Sequence, residues 1–193
     1  MLNTEKIMFY KNIGFIVIEP FNEAQLNTNS YDVRLGEWIC RQNISEPIDG
    51  WQTHKVIKYN SKSGTKEMWQ EPIKQNNSIR ILPGETILAH TQEVIGGRET
   101  ITTEMRAKST TARYGLSVCK CAGLGDIGFI SKWTMEMTNH SNFILDIPIG
   151  EPIAQILFHE VGQVKSDYGK LGGRYGQGNL WTPEDMLPKG KYE

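Results

Sequence analysis

Glycine and proline punctuation constrains this chain more than any other feature. Nineteen glycines and eight prolines are scattered along 193 residues, and they cut the chain into pieces too short for long helices. Most pieces alternate apolar and polar residues, the period of a half-buried strand. Tyr31 to Leu35 alternates and stops at Gly36. Ser78 to Leu82 alternates and runs into Pro83-Gly84, a turn dipeptide. Glu85 to Ile95 continues as a longer strand with Ile87, Ala89 and Thr91 on one side. Leu116 to Cys121, Lys132 to Thr138 and Ile153 to Phe158 read the same way. Many short strands between Gly, Pro and Asn turns predict an all-β sandwich or barrel. Helical pattern is confined to Glu5–Tyr10 and to part of Thr103–Tyr114.

Two stretches stand apart. Residues 42–77 are polar, rich in Lys, Ser and Asn, and carry Trp51 and Trp69. About 35 residues cannot bury much core alone, so this stretch reads as a surface insertion or long hairpin, not a domain. Residues 162–193 form a glycine-rich C-terminal arm. The expectation is one domain over 1–193, with no internal repeat and no linker.

The charge balance is near neutral: 21 Lys and Arg against 22 Asp and Glu. Nothing in it favours a nucleic-acid polymer or an anionic membrane as partner. No apolar run approaches the roughly 20 residues that span a bilayer. The N-terminus lacks the basic start and apolar core of a secretion signal. Three cysteines without framework spacing point to a reducing, cytoplasmic setting.

Several chemistries fail on spacing. Gly169-Lys170 is followed by Leu171, so there is no P-loop. None of His54, His90, His140 and His159 begins the His-x-Glu of a zinc deaminase, and Cys119-Lys-Cys121 lacks the Cys-x-x-Cys interval. The two cysteines read as small side chains on one face of a strand. There is no Gly-x-Ser-x-Gly elbow.

What remains is a polar constellation on a β framework. Lys108 and Arg113 flank Ser109, Thr110 and Thr111. This is either a solvated loop or a polyphosphate site, in which cations neutralise charge and hydroxyls donate hydrogen bonds. Asp126 sits in a Gly-rich turn, where an Asx turn is the plain reading. In Trp133 to Asn139, alternation places Trp133, Met135 and Met137 on one face and Thr134, Glu136 and Thr138 on the other. Glu136 faces either solvent, which the residues alone favour, or a polar cavity that tunes its acidity.

Taken in order, these segments resemble the dCTP deaminase branch of the dUTPase superfamily. Lys108 to Leu116 resembles the branch's basic-Ser-Ser-x-small-Arg-x-Gly-Leu motif. Ala122 to Phe129 resembles its Asp-Pro-Gly turn, with Gly125 in place of a branched residue and Ile127 in place of the proline. Trp133 to Asn139 resembles its Ile-Thr-Leu-Glu strand. Asn29–Gly36, Leu82–His90 and Ile149–His159 match three further strands of the superfamily.

The resemblance implies a distorted jelly roll, or β-clip, with one or two short helices. It implies a homotrimer with active sites between subunits. It also implies zinc-independent deamination of dCTP to dUTP and ammonia, supplying thymidylate synthesis, with Mg²⁺ carried on the substrate phosphates. Glu136 is then the general base, Ser109 and the Ala122 carbonyl hold the water, and Arg113 stabilises charge. Asp126 meets the sugar hydroxyl or the water, and Phe129 and Thr134 line the nucleoside site. Lys108, Thr110 and the arm residues Arg174 and Gln177 hold the triphosphate, and Tyr168 closes the site. Two alternatives within the superfamily are a dUTP diphosphatase using Asp126 and a bifunctional enzyme giving dUMP. A third, of another class, is a non-catalytic nucleotide sensor. The substituted turn reads as looser than the family's, which favours dUTP as the released product.

Overall fold

The computed structural model describes residues 1–43, 57, 66–173, 175 and 180–189. It is mainly β. Helix α1 (Thr4–Asn12) opens the chain, capped by the Asn3 side chain accepting from the Lys6 N–H. Twelve strands follow among the described residues: β1 (Ile16–Glu19), β2 (Tyr31–Arg34), β3 (Trp38–Arg41), β4 (Ile73–Lys74), β5 (Ser78–Ile81), β6 (Thr86–Gly97), β7 (Ile101–Ala107), β8 (Leu116–Ser117), β9 (Leu124–Gly125), β10 (Ile130–Asn139), β11 (Leu145–Pro148) and β12 (Pro152–Glu160). A short helix α2 (Ser109–Arg113) separates β7 from β8.

One sheet runs β4-β3-β6-β10-β8, with β1 also paired to β6. A second runs β2-β12-β7-β9, and β5 pairs with β11. Every named strand pair is antiparallel. The main core draws Ile87, Ala89, Met135 and Met137 from the first sheet and Val33, Met105, Ile156 and Phe158 from the second. Fully burying a side chain of this kind contributes about 1.5–3 kcal/mol, so the two inner faces carry most of the fold's stability.

The long strand β6 is buried on both faces. Ile87 and Ala89 enter the core as their alternation predicts. On the other face Leu88 joins Cys40, Met186 and Leu187 in a second apolar cluster. The C-terminal segment therefore covers a face that the sequence left to solvent. A 3-10 turn at Pro183–Met186 fixes this segment, with a reciprocal capping box between Thr182 and Asp185.

The helix expected within Thr103–Tyr114 is α2; before it Ile101, Thr103 and Met105 alternate into the core as β7, and helix begins only after Lys108, whose backbone is extended. Two other expectations need correction. Leu116–Cys121 is strand only at Leu116–Ser117; the chain then turns, burying Cys119 and exposing Cys121. The cysteines thus do not share a strand face. Second, the turn before β10 is not loose. A Cβ on Gly125 would lie 2.5 Å from the Trp133 ring and 2.3 Å from Thr103 Oγ1, so a branched residue has no room. The Gly125 carbonyl accepts from Thr102 Oγ1 at 2.8 Å, and Ile127 is buried. Trp51 and most of the 42–77 stretch lie outside the described residues.

Candidate active site

Strand β10 holds Glu136 and the side chains that alternate with it. Trp133, Met135 and Met137 point into the core, and Lys132, Thr134 and Glu136 fall on the opposite, half-buried face. The register between β10 and β6 shifts between Lys132 and Thr134. There Thr91 Oγ1 accepts from the Trp133 N–H at 2.9 Å and donates to the Glu93 carbonyl at 2.7 Å. The irregularity is thereby satisfied, and the polar face of β10 is held in place.

A cavity of about 430 Å³ opens over this face. It takes Ala122 from the β8–β9 connection, Asp126 and Phe129 from the turn before β10, and Lys132, Thr134 and Glu136 from β10 itself. Trp69 and Leu88 add to the wall, and the chain's own C-terminal arm supplies much of the rest, including Tyr168, Tyr175, Trp181 and Asp185. The arm thus lies on its own subunit's cavity. Tyr168 donates its N–H to the Ile127 carbonyl at 2.8 Å, and its ring meets Phe129 edge to face. Trp181 lies with its ring centroid 4.5 Å from that of His90, and Lys132 Nζ stands 5.0 Å from the Trp181 centroid.

Glu136 is not solvated in the way the residues alone suggest. Its Oε2 is buried without a hydrogen-bond partner. Burial raises its pKa above the ordinary carboxyl value, while a backbone hydrogen bond and Lys120 pull the other way. An acid so placed is poised to exchange a proton with a bound molecule.

Six of the candidates from sequence thus meet around one cavity: Glu136, Ala122, Asp126, Phe129, Thr134 and Tyr168. Four do not line it. Ser109 and Arg113 are exposed on α2, while Lys108 and Thr110 line a separate groove with Tyr114 and Ile147. Lys108 Nζ donates to Asp32 on β2, which also accepts from Asn27 Nδ2 at 2.9 Å. Arg174 and Gln177 lie outside the described residues. Sequence reasoning missed Lys132, Trp181 and Asp185 on the wall and Asp32 beneath Lys108. Lys132 was legible, since it shares the alternation of Thr134 and Glu136; the others depend on long-range packing.

The model of the dCTP deaminase-like family matches residues 1–161. The chain belongs to that family. A "dCTP deaminase, dUMP-forming" of Methanospirillum hungatei is 31% identical over 156 residues, 80% of this chain and 78% of that protein. A protein of the same name from Nanoarchaeum equitans is 30% identical over 181 residues, 91% of each chain. The solved 2'-deoxycytidine 5'-triphosphate deaminase of Agrobacterium tumefaciens superposes with a TM-score of 0.61 at 15% identity, over 82% of this chain and 48% of that one. That likeness concerns the fold. The family match ends before the arm, so Tyr168, Tyr175 and Trp181 are read from this structure alone.

Proposed function

We propose that the chain is a zinc-independent dCTP deaminase with Glu136 as its general base. The observation that carries this reading is the Glu136 carboxyl group, half-buried on a cavity wall with one oxygen unpartnered. The curated relatives named for the same reaction support it.

In this reading a water adds through its oxygen to C4 of the cytosine ring, and Glu136 takes its proton. The proton passes to N3, giving a tetrahedral carbon that bears both hydroxyl and amino groups. Glu136 then accepts the hydroxyl proton, and the amino nitrogen is protonated as the C4–N bond breaks. Ammonia departs, C4 becomes a carbonyl and Glu136 regains its charge. The Ala122 carbonyl and Ser109 hydroxyl orient the water, while Phe129, Thr134 and Tyr168 enclose the nucleoside. Mg²⁺ enters as the counter-ion of the substrate's phosphates.

Ser109, Arg113, Lys108 and Thr110 stand away from the Glu136 cavity, so a second copy has to bring them to it. A homotrimer with shared sites supplies them, and the groove beside Lys108 and Thr110 is where the neighbour would sit. A cytoplasmic setting belongs to the same reading, which the free Cys40, Cys119 and Cys121 suit. Among the described residues no helix is long and apolar enough to cross a membrane.

The product has two readings. Release of dUTP follows if Asp126 cannot position a water in line with the α-phosphate. That expectation rested on a loose turn, and the packing of Gly125 and Ile127 removes its support. Asp126 shares the Glu136 cavity, and the relatives carry dUMP-forming names. These observations favour a second step, hydrolysis to dUMP and pyrophosphate with Asp126 as base. Chromatography of a dCTP reaction with Mg²⁺ decides it: dUMP and pyrophosphate rise with ammonia if both steps occur, and dUTP accumulates if only the first does.

A further inference from the structure

The turn between β8 and β9 carries an unusual residue. Lys120 has φ +45°, and Glu99 is the other non-glycine residue with positive φ among the described residues. Long side chains rarely adopt this conformation, and where they do it is often part of a functional arrangement. The turn is closed by the Ala122 N–H donating to the Cys119 carbonyl at 2.8 Å. Lys120 therefore sits two residues before the carbonyl assigned to the attacking water.

Its side chain reaches the start of β6, where β6 pairs with β10. Lys120 Nζ donates to Thr86 Oγ1 at 3.5 Å, and Thr86 Oγ1 shares a 2.8 Å hydrogen bond with Thr138 Oγ1. Thr86 and Thr138 are cross-strand partners, and the next pair on the same faces is Leu88 and Glu136. One such step along a strand is about 7 Å, so the hydroxyl pair that Lys120 Nζ reaches lies one step from the Glu136 pair. Other charged or titratable groups also surround Glu136. Lys132 lies on its own strand and Asp126 before β10, and the arm brings Tyr168, Tyr175 and Asp185; Cys119 in the β8–β9 turn also feels its charge, and lines a neighbouring groove with Lys120, Cys121, Glu104 and Arg106. On the cavity wall two of these, Asp126 and Asp185, are carboxylates, and Lys132 lies against the Trp181 face.

We propose that Lys120 is a positioning residue for Glu136: its ammonium, reaching the Thr86–Thr138 pair from an exposed turn, holds the base in its charged, proton-accepting form before substrate enters. The inference deepens the deaminase reading and rests on it for the role, though not for the electrostatic coupling. In this role Lys120 acts through Glu136.

The test uses Lys120→Met, Lys120→Gly and Lys120→Arg in the full-length protein. Glycine relieves the positive φ but removes the charge, so it separates the backbone from the ammonium. A first readout needs no turnover: the carboxyl carbon of Glu136 is followed by NMR against pH in 13C-glutamate protein, with Glu136→Gln assigning the signal. The signal moves to higher pH in the Met and Gly variants and returns with Arg. The second readout is the pH profile of kcat/KM for dCTP, which reports the free enzyme. The Met and Gly variants lose about three- to tenfold on the acid side and meet wild type on the alkaline plateau, the effect of one unit charge about 7 Å away in a high-dielectric setting. Coincident Glu136 titrations in wild type and both neutral variants overturn the inference, as does a Gly variant indistinguishable from wild type throughout. Wild-type protein that releases no ammonia from dCTP overturns the deaminase reading instead, and the NMR titration still decides the coupling.

Discussion

Phe129 and Tyr168 meet edge to face with ring centroids 5.5 Å apart, and that contact joins the turn before β10 to the first residues of the arm. Phe129 packs in turn on Trp133, at 5.2 Å between centroids, so the arm is tied through one ring to the strand that carries Glu136. Such aromatic pairs contribute about 0.5–1.5 kcal/mol beyond their burial.

Tyr168→Ala is therefore expected to raise KM for dCTP by about three- to tenfold, the equivalent of one such pair, with a smaller change in kcat. Steady-state kinetics beside a melting curve checks this. A large loss of melting temperature with KM unchanged would make Tyr168 a packing residue alone.

Glu136→Gln keeps the shape of the side chain and removes its ability to take a proton. Turnover of dCTP is expected to fall by roughly two to four orders of magnitude. Calorimetric titration with dCTP and Mg²⁺ should show binding retained. A variant with more than about a tenth of wild-type turnover would remove Glu136 from the role of base.

His90 gives the fold a pH dependence. It is 2% exposed, its Nδ1–H donates to the Thr91 carbonyl at 2.8 Å and its Nε2 accepts from the Trp38 N–H at 3.2 Å. Both contacts suit the neutral ring. Burial drives its pKa down to about 4 from 6.5. Between those values the unfolded chain binds a proton that the folded chain refuses, so stability rises with pH there and is complete above about 6.5. Integrated over the window, the loss on acidification is on the order of 3 kcal/mol at most. Melting temperature should fall from pH 6.5 toward 4, and more steeply than in His90→Gln. Parallel curves would mean that His90 does not govern the acid limb.

Much of the fold was legible because β strands announce themselves by alternation, and Trp133, Met135 and Met137 occupy the core side that their spacing assigns. Alternation failed on β6, where both faces are buried, because the covering Met186 and Leu187 arrive from a segment almost a hundred residues away. It failed again at Lys120 and Cys121, where a tight turn replaces a strand without any glycine to mark it. The site shows the same division. Alternation put Thr134 and Glu136 on one face, but only the family resemblance turned them and Asp126 toward a site; Trp181 and Asp185 belong to the cavity only through tertiary packing.

The separation of α2 from the Glu136 cavity predicts complementation. Glu136→Gln and Arg113→Ala protein are each expected to be inactive. Co-refolded in equal amounts as random trimers, they recover about a quarter of wild-type sites, because such a site needs one good wall from each of two neighbours. Sedimentation equilibrium should show a trimer at micromolar concentration. Activity that never exceeds that of the two inactive parents would place Arg113 and Glu136 in one subunit's site or in none.

The most direct measurement is ammonia released from dCTP by the purified wild-type protein with Mg²⁺ and no added zinc, beside Glu136→Gln under the same conditions. The account predicts one ammonia for each dCTP consumed by wild type, with uracil nucleotide as product, and almost none from the variant. Hydrolysis of dUTP with no ammonia from dCTP would contradict it, and would leave Asp126 as the acting carboxylate with Glu136 a bystander on the same wall.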